Sequence, residues 1–220
     1  MSRALGAPAT LHCRCIISDD RSRSRVVCIC AEHTAVVSDE AYGWHTHVMD
    51  EQRDVIEQRV ITAATSTGVA IEVLDCDPDL ADTAAFCAAY GIAVADSANT
   101  IMVATKENPP RYVACVVLAT HRLDVNGVVR RRLGARKVSF ARADATAALT
   151  GMVMGGVTPF GLPDDIEVWV DAAVMERDEI ITGGGSRAIK LRHAPAALQA
   201  LITVQVVELL AQPLPPDADA

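Results

Sequence analysis

Positions Ile56, Val60, Ala64 and Thr67 recur every three or four residues, which predicts a helix capped by Asp50 and stopped by Gly68. Ala70–Leu74 follows as a short strand. Asp77-Pro78 then supplies an N-cap and a proline at the first helical position. Leu80, Ala84, Cys87 and Ala88 form the stripe of a second helix that ends at Gly91. Two β-rich runs, Ile101–Thr105 and Tyr112–Ala119, flank Lys106-Glu-Asn-Pro-Pro110, the composition of a hairpin turn. Val125–Leu133 reads as helix up to Gly134, Val138–Phe140 as a brief strand and Ala143–Leu149 as helix. Ile166–Val170, Glu179–Thr182 and Ala188–Leu191 run as strands. Ala194–Leu201 reads as a last helix, and Thr203–Leu210 as a strand or a helix. Strands interleaved with helices and hairpins predict a mixed α/β domain without a regular βαβ repeat.

The chain changes character near Met49. Residues 1–48 hold five arginines, no lysine and an Arg21-Ser-Arg-Ser-Arg25 run, and are expected to form a poorly ordered extension; an alternative places the functional start at Met49. Cys13-x-Cys15, twelve residues, then Cys28-x-Cys30 and His33 invite a zinc reading. A single residue between paired cysteines suits one ion poorly, since structural zinc sites space them by two or more. The domain proper is expected over 49–211, with a Pro-rich acidic tail over 212–220.

Composition narrows the function. With half the residues hydrophobic and a net charge of −8, the chain is neither a disordered polymer nor a nonspecific nucleic-acid coat. The longest uncharged run, Ala145–Pro163, contains Gly151, Gly155, Gly156, Gly161, Pro159 and Pro163, which would break a membrane helix, so no membrane is expected. No export leader is recognised, so a reducing cytoplasm is expected, with Cys76, Cys87 and Cys115 as small buried hydrophobes. Charge is unevenly spread: residues 121–142 carry seven basic side chains against one acidic. Arg130, Arg131, Arg132, Arg136 and Lys137 therefore become a candidate phosphate-facing patch, although arginines also favour the C-terminal end of a helix.

Two glycine clusters are the densest chemical signals. Gly151-Met-Val-Met-Gly-Gly-Val-Thr-Pro-Phe-Gly161 combines backbone freedom with the fixed φ of Pro159, in the manner of a stiff loop that exposes amides or of a tight turn. It lacks the Gly-Lys-Ser/Thr of a Walker loop and the Gly-x-Gly-x-x-Gly of a dinucleotide site. Gly183-Gly184-Gly185-Ser186 could form an anion-binding nest or an ordinary hairpin turn. Cys115 lacks a partner for nucleophilic work, His193 opens a helix, and Trp169 reads as core.

The order of these motifs makes a family visible. Thr83-Ala-Ala-Phe-Cys-Ala-Ala-Tyr-Gly91, Ala98-Asn-Thr-Ile-Met-Val103, His121-Arg-Leu-Asp124 and Leu133-Gly134 come first. Val138-Ser-Phe-Ala141, Leu149-Thr-Gly151, Gly155-Gly-Val-Thr-Pro-Phe-Gly161, Val170-Asp171 and Gly183-Gly-Gly185 follow. From about Leu80 to Ile202 the chain resembles the YbaK/prolyl-tRNA synthetase-associated domain, a family of aminoacyl-tRNA editing deacylases.

The resemblance implies a barrel-like, mostly antiparallel β-sheet flanked by helices, with one pocket between the two glycine loops. It also implies hydrolysis of the ester joining a wrong, small amino acid to tRNA. The partners implied are the tRNA acceptor end and an aminoacyl-tRNA synthetase, with no DNA, metal or organic cofactor. An aminoacyl ester is already activated, so the protein's task is to hold the carbonyl and stabilise the oxyanion. Each backbone donor lost there costs about 3–4 kcal/mol. Gly155, Gly156 and Gly161, or Gly183, Gly184 and Gly185, are the candidate donors, with Pro159 and Phe160 as pocket wall. Asp171 matches an acidic position that orients substrate or water, or else caps the next helix. His121 and Arg122 are candidate rim residues. The chain departs from the pattern at Asn99, where many members carry lysine and Asn offers only a neutral donor and acceptor. A non-catalytic module that binds tRNA or an aminoacyl ligand is the rival reading.

Overall fold

The computed structural model describes the backbone at 14–20, 23–30, 33–38 and 55–215, and the side chains over 55–215. The chain divides into two units, Met1–Gln52 and Arg53–Ala220. The first carries an antiparallel meander of β1 (Arg14–Asp20), β2 (Arg23–Cys30) and β3 (His33–Ser38). The side chains of that unit lie outside the described residues. With them go the zinc reading of Cys13, Cys15, Cys28, Cys30 and His33 and the Asp50 cap.

In the second unit, helix α1 (55–65) leads into β4 (Ile71–Asp75), with Gly68 supplying the turn at φ +74°. A single turn, Pro78–Leu80, precedes α2 (Thr83–Tyr90). The helix expected to run unbroken from Asp77 is thus two pieces. Asp77 caps only the first turn, accepting from Asp79 N at 2.9 Å, and α2 stops at Gly91 in the left-handed region.

Strands β5 (Ala98–Thr105) and β6 (Tyr112–Leu118) form the expected hairpin, and β7 (His121–Leu123) follows. The predicted helix over Val125–Leu133 is a wide turn that tightens into α3 (Arg130–Arg132). Asp124 opens it by accepting from Gly127 N and Val128 N, so Val129 N reaches back five residues to Asp124 O. Next come β8 (Val138–Phe140), α4 (Ala143–Thr150), β9 (Glu167–Asp171) and α5 (Ala172–Met175). The chain continues with β10 (Ile180–Gly183), β11 (Ile189–His193), α6 (Ala196–Gln199), β12 (Val204–Val207) and β13 (Ala211–Pro213).

The main sheet is mixed, in the order β12-β9-β6-β5-β8, with β12, β9 and β6 parallel and β6, β5 and β8 antiparallel. A second antiparallel sheet, β10-β11-β4, meets it through one parallel rung, Ser97 to Ile181. The expected barrel is therefore an open one. Both faces of the main sheet are buried, which is why β6 and β9 read as unbroken apolar runs. Ala114, Val116, Val168 and Val170 pack on one face with α1, Met152 and Phe160; Val113, Cys115, Val117 and Trp169 pack on the other beneath the Val125–Leu133 turn. Among the described residues no helix is long and apolar enough to cross a membrane.

Candidate functional site

The site follows from strand register. Ser97 O accepts from Ala119 N, and Thr105 N donates to Arg111 O, so the odd-numbered residues of β5 bond to β6. The even-numbered ones turn their peptide groups to the opposite edge. There β8 and its continuation begin only at Met102, whose carbonyl accepts from Ala141 N. At the other end the Ser97–Ile181 rung closes the edge. Thr100 lies between these two closures, with its N–H and C=O facing a gap and its buried Oγ1 lacking a hydrogen-bond partner. The same parity holds across the gap. Cys76 N donates to Ala188 O, so even-numbered residues of β11 bond to β4, and Gly183, opposite Lys190, turns its peptide group away from β11.

Between these two bare edges opens a cavity of about 290 Å³. Ala98, Ile101, Met102, Val157, Thr146 and Ile181 give it a largely apolar lining, while Phe140 and Met154, each 59% exposed, stand at its mouth. Gly155 and Gly183 both border it, so one residue from each glycine cluster reaches the same space.

The clusters are held together by contacts that only glycine permits. A Cβ on Gly156 would stand 2.1 Å from Ser186 O, and one on Gly183 would stand 2.4 Å from Gly156 O and 2.5 Å from Val157 O. Gly185 N donates to Gly156 O at 2.7 Å, and Gly156 N donates to Val153 O at 3.0 Å. The Gly185 amide is spent on the loop-to-loop seam and the Gly156 amide on a turn within its own loop, so neither is free to act as an oxyanion donor. Arg187 straps the outside, donating to Pro78 O at 2.8 Å and pairing with Asp82 at 3.2 Å.

Lys190, which the sequence reading did not single out, is the cation of this cavity. It is 6% exposed, and its Nζ donates to Ala81 O at 2.7 Å and Gly155 O at 2.8 Å. It lies 5.6 Å from the centre of the Phe86 ring, and burial lowers its pKa. In β11 its neighbours Leu191 and Ile189 are core, so Lys190 reads from sequence as the polar member of an alternating strand; only the Ala81 and Gly155 carbonyls reveal its burial. Asn99 also lines the cavity, its Oδ1 accepting from Thr83 Oγ1 at 2.8 Å.

Several expected site residues lie elsewhere. Phe160 is fully buried in the core, edge-on to His193 at 5.0 Å, and Pro159 is buried beside it. Gly161 packs against Arg59, and Gly184 against Ile189. Asp171 precedes α5 without a side-chain capping bond, accepts from Ala211 N at 3.3 Å, and has its pKa raised by burial. His121 and Arg122 pair with β13, His121 near that same carboxylate and Arg122 exposed. None of these residues lines the cavity. The basic patch is also separate: Arg130 Nε donates to Asn126 O, and Arg132 lies over the Trp169 ring at 5.0 Å, while Arg131, Arg136 and Lys137 are exposed. Cys115 is sealed in the core, with its thiol pushed up to about 12 by burial.

His193 supports the cavity wall from behind. Its Nδ1 sits 3.0 Å from Ala194 O and its Nε2 3.2 Å from Thr182 Oγ1, which fits a neutral ring that donates to the carbonyl and accepts from the hydroxyl. Burial lowers its pKa below 6.5, so the unfolded chain binds the proton more readily and folding stability should fall as pH drops below that value. Thermal melts between pH 7 and pH 5 should show this loss, and His193→Gln should flatten it.

A mixed α/β domain with a cavity between the bare edges of β5 and β10, bordered by one residue of each glycine cluster, is what the strands build, and the matches to known proteins assign its family. The model of the aminoacyl-tRNA editing domain matches residues 77–201, and this chain belongs to that family. A protein of Enterococcus faecalis assigned as a Cys-tRNA(Pro)/Cys-tRNA(Cys) deacylase, EbsC, is 25% identical over 109 residues, covering 50% of this chain and 64% of its own length. The chain thus spans somewhat less than two thirds of that relative. A crystal structure assigned to a trans-editing enzyme for prolyl tRNA synthetase superposes with TM-score 0.61 at 23% identity, over 70% of this chain and 95% of the other. The crystal structure of hypothetical protein APE2540 does so with TM-score 0.60 at 26% identity, over 67% of this chain and 97% of the other.

Proposed function

We propose that the chain is a trans-acting deacylase that hydrolyses the ester between a small, uncharged amino acid and the 3′-terminal adenosine of a mischarged tRNA. The observation that carries this reading is the cavity between β5 and β10. It is apolar enough for a small side chain and bordered by peptide groups suited to an acyl carbonyl. Water, or the neighbouring ribose hydroxyl, attacks the carbonyl carbon. The N–H groups of Thr100, Gly155 and Gly183 are the backbone donors on the cavity, in place of the spent amides of Gly156 and Gly185. Phe140 and Met154 offer the terminal nucleoside apolar surface at the mouth.

The RNA body would contact the patch of Arg130, Arg131, Arg132, Arg136 and Lys137. Relatives assigned to Cys-tRNA(Pro) and to prolyl tRNA synthetase make that tRNA and that synthetase the first candidates for substrate and partner. Asn99, held by Thr83, favours one competing outcome, a module that binds aminoacyl ligands without hydrolysing them.

A panel of mischarged tRNAs, Cys-tRNA(Pro) and Ala-tRNA(Pro) among them, decides between the two. Purified protein should release the amino acid well above the spontaneous rate, and kcat/KM should fall steeply between 50 and 200 mM salt, by about tenfold or more if several phosphates are neutralised. Binding of an aminoacyl-adenosine analogue with no ester loss on any tRNA would instead establish the module.

A further inference from the structure

Lys190 is held in an unusual way for a buried cation. Burying an ammonium costs several kcal/mol unless it is paired or fully hydrogen-bonded. Among the described residues Lys190 forms no ion pair. Ala81 O and Gly155 O take two of its three protons, and no third acceptor is present among the described residues. The charged groups around it leave that position open. Asp82 is committed to Arg187, and Cys76 from the end of β4 and Cys87 from α2 are buried thiols. Lys190 also lines the cavity beside Gly155 and Gly183. A cation with one unfilled donor, on the wall of an apolar cavity, suits an oxygen that gains negative charge. It suits an α-ammonium group poorly.

We propose that Lys190 is a catalytic residue that donates its remaining N–H to the acyl carbonyl oxygen of the bound ester. This assignment rests on the deacylase reading above. When water adds to the carbonyl carbon, the C=O π pair moves to that oxygen, and the Lys190 ammonium stabilises the charge without giving up its proton. The tetrahedral species collapses by re-forming C=O and breaking the bond to the ribose oxygen. That oxygen leaves with one proton of the attacking water, and the free amino acid carries the hydroxyl. The carbonyl of Gly155 ties the same ammonium to the glycine loop, which fixes its position before substrate arrives.

Two measurements on the full chain test this. In single-turnover and steady-state deacylation, with spontaneous hydrolysis subtracted, Lys190→Met should lower kcat by about 100-fold or more and change KM by less than about threefold. Lys190→Arg should retain part of the rate and move the alkaline fall in kcat to higher pH, because guanidinium does not titrate there. A lysine that merely braced the loop would leave the alkaline limb in place.

Independently of turnover, a phosphonate monoester of adenosine that mimics the tetrahedral oxyanion should bind Lys190→Met at least about 30-fold more weakly than wild type. An amide analogue of the ground state should lose less than about threefold. If the wild-type protein hydrolyses nothing on the panel, the deacylase reading fails and the catalytic assignment falls with it; phosphonate discrimination would then mark Lys190 as an anion-binding residue only. If folded Lys190→Met keeps wild-type kcat, or binds the phosphonate as wild type does, the assignment is overturned.

Discussion

Alanine at Gly183 is expected to lower the melting temperature by about 10 °C and to remove most activity on any tRNA the wild type deacylates. The reason is steric. The added methyl would meet two backbone oxygens, Gly156 O at 2.4 Å and Val157 O at 2.5 Å, and neither can rotate aside as a side-chain end could. Overpacking of this kind costs about 3 kcal/mol, and each kcal/mol moves the melting point of a domain this size by about 2–4 °C. The same shift would part the glycine loop from β10 and widen the cavity by displacing Gly155. Gly68→Ala is the control. It has open space around it but a φ of +74°, so it should cost about 1 kcal/mol and leave deacylation intact. Differential scanning calorimetry and a deacylation assay on both variants separate the two cases.

Phe160→Ala carries the second large effect. Phe160 is completely buried between α1 and the main sheet, edge-on to His193, so its loss leaves a cavity in the core worth about 3–5 kcal/mol. Urea unfolding should show the midpoint falling with little change in slope. At temperatures where the variant remains folded, KM should be close to wild type. A rise in KM without a loss of stability would return Phe160 to the cavity wall, where its place in the glycine motif alone had put it.

These contrasts show what was legible in the chain and what was not. Apolar periodicity located β6, β8 and α4 closely and the second half of β5, because strands with two buried faces and helices with capping glycines leave strong local patterns; it left out Ala98–Thr100, where β5 borders the cavity. It missed β7 and β13, whose His-Arg-Leu and Ala-Gln-Pro sequences carry no β-rich apolar pair of the kind that Val138 and Phe140 give β8. It also ran the Asp77 helix straight through the bend that precedes Thr83. The glycine clusters were visible as clusters, yet their division of labour was not. Gly155 and Gly183 border the cavity, Gly183 while also packed on the first loop, whereas Gly156, Gly161, Gly184 and Gly185 only pack against neighbours, and that distinction depends on contacts between segments about 30 residues apart. Asp171 fits the family pattern in sequence, but strand parity and the β13 edge place its carboxylate away from the cavity. Lys190 was hidden for the converse reason. Its surroundings come from α2 and the glycine loop, neither of which is near it in the chain.

The lone rung between Ser97 and Ile181 has a consequence for selectivity. Past that rung β5 and β10 run along the cavity without pairing, so the spacing of two backbones, as well as the lining side chains, bounds the room for an amino-acid side chain. Trimming Met102 would deepen such a slot without widening it. On the deacylase reading proposed above, a preference for short side chains should therefore survive many substitutions along the wall.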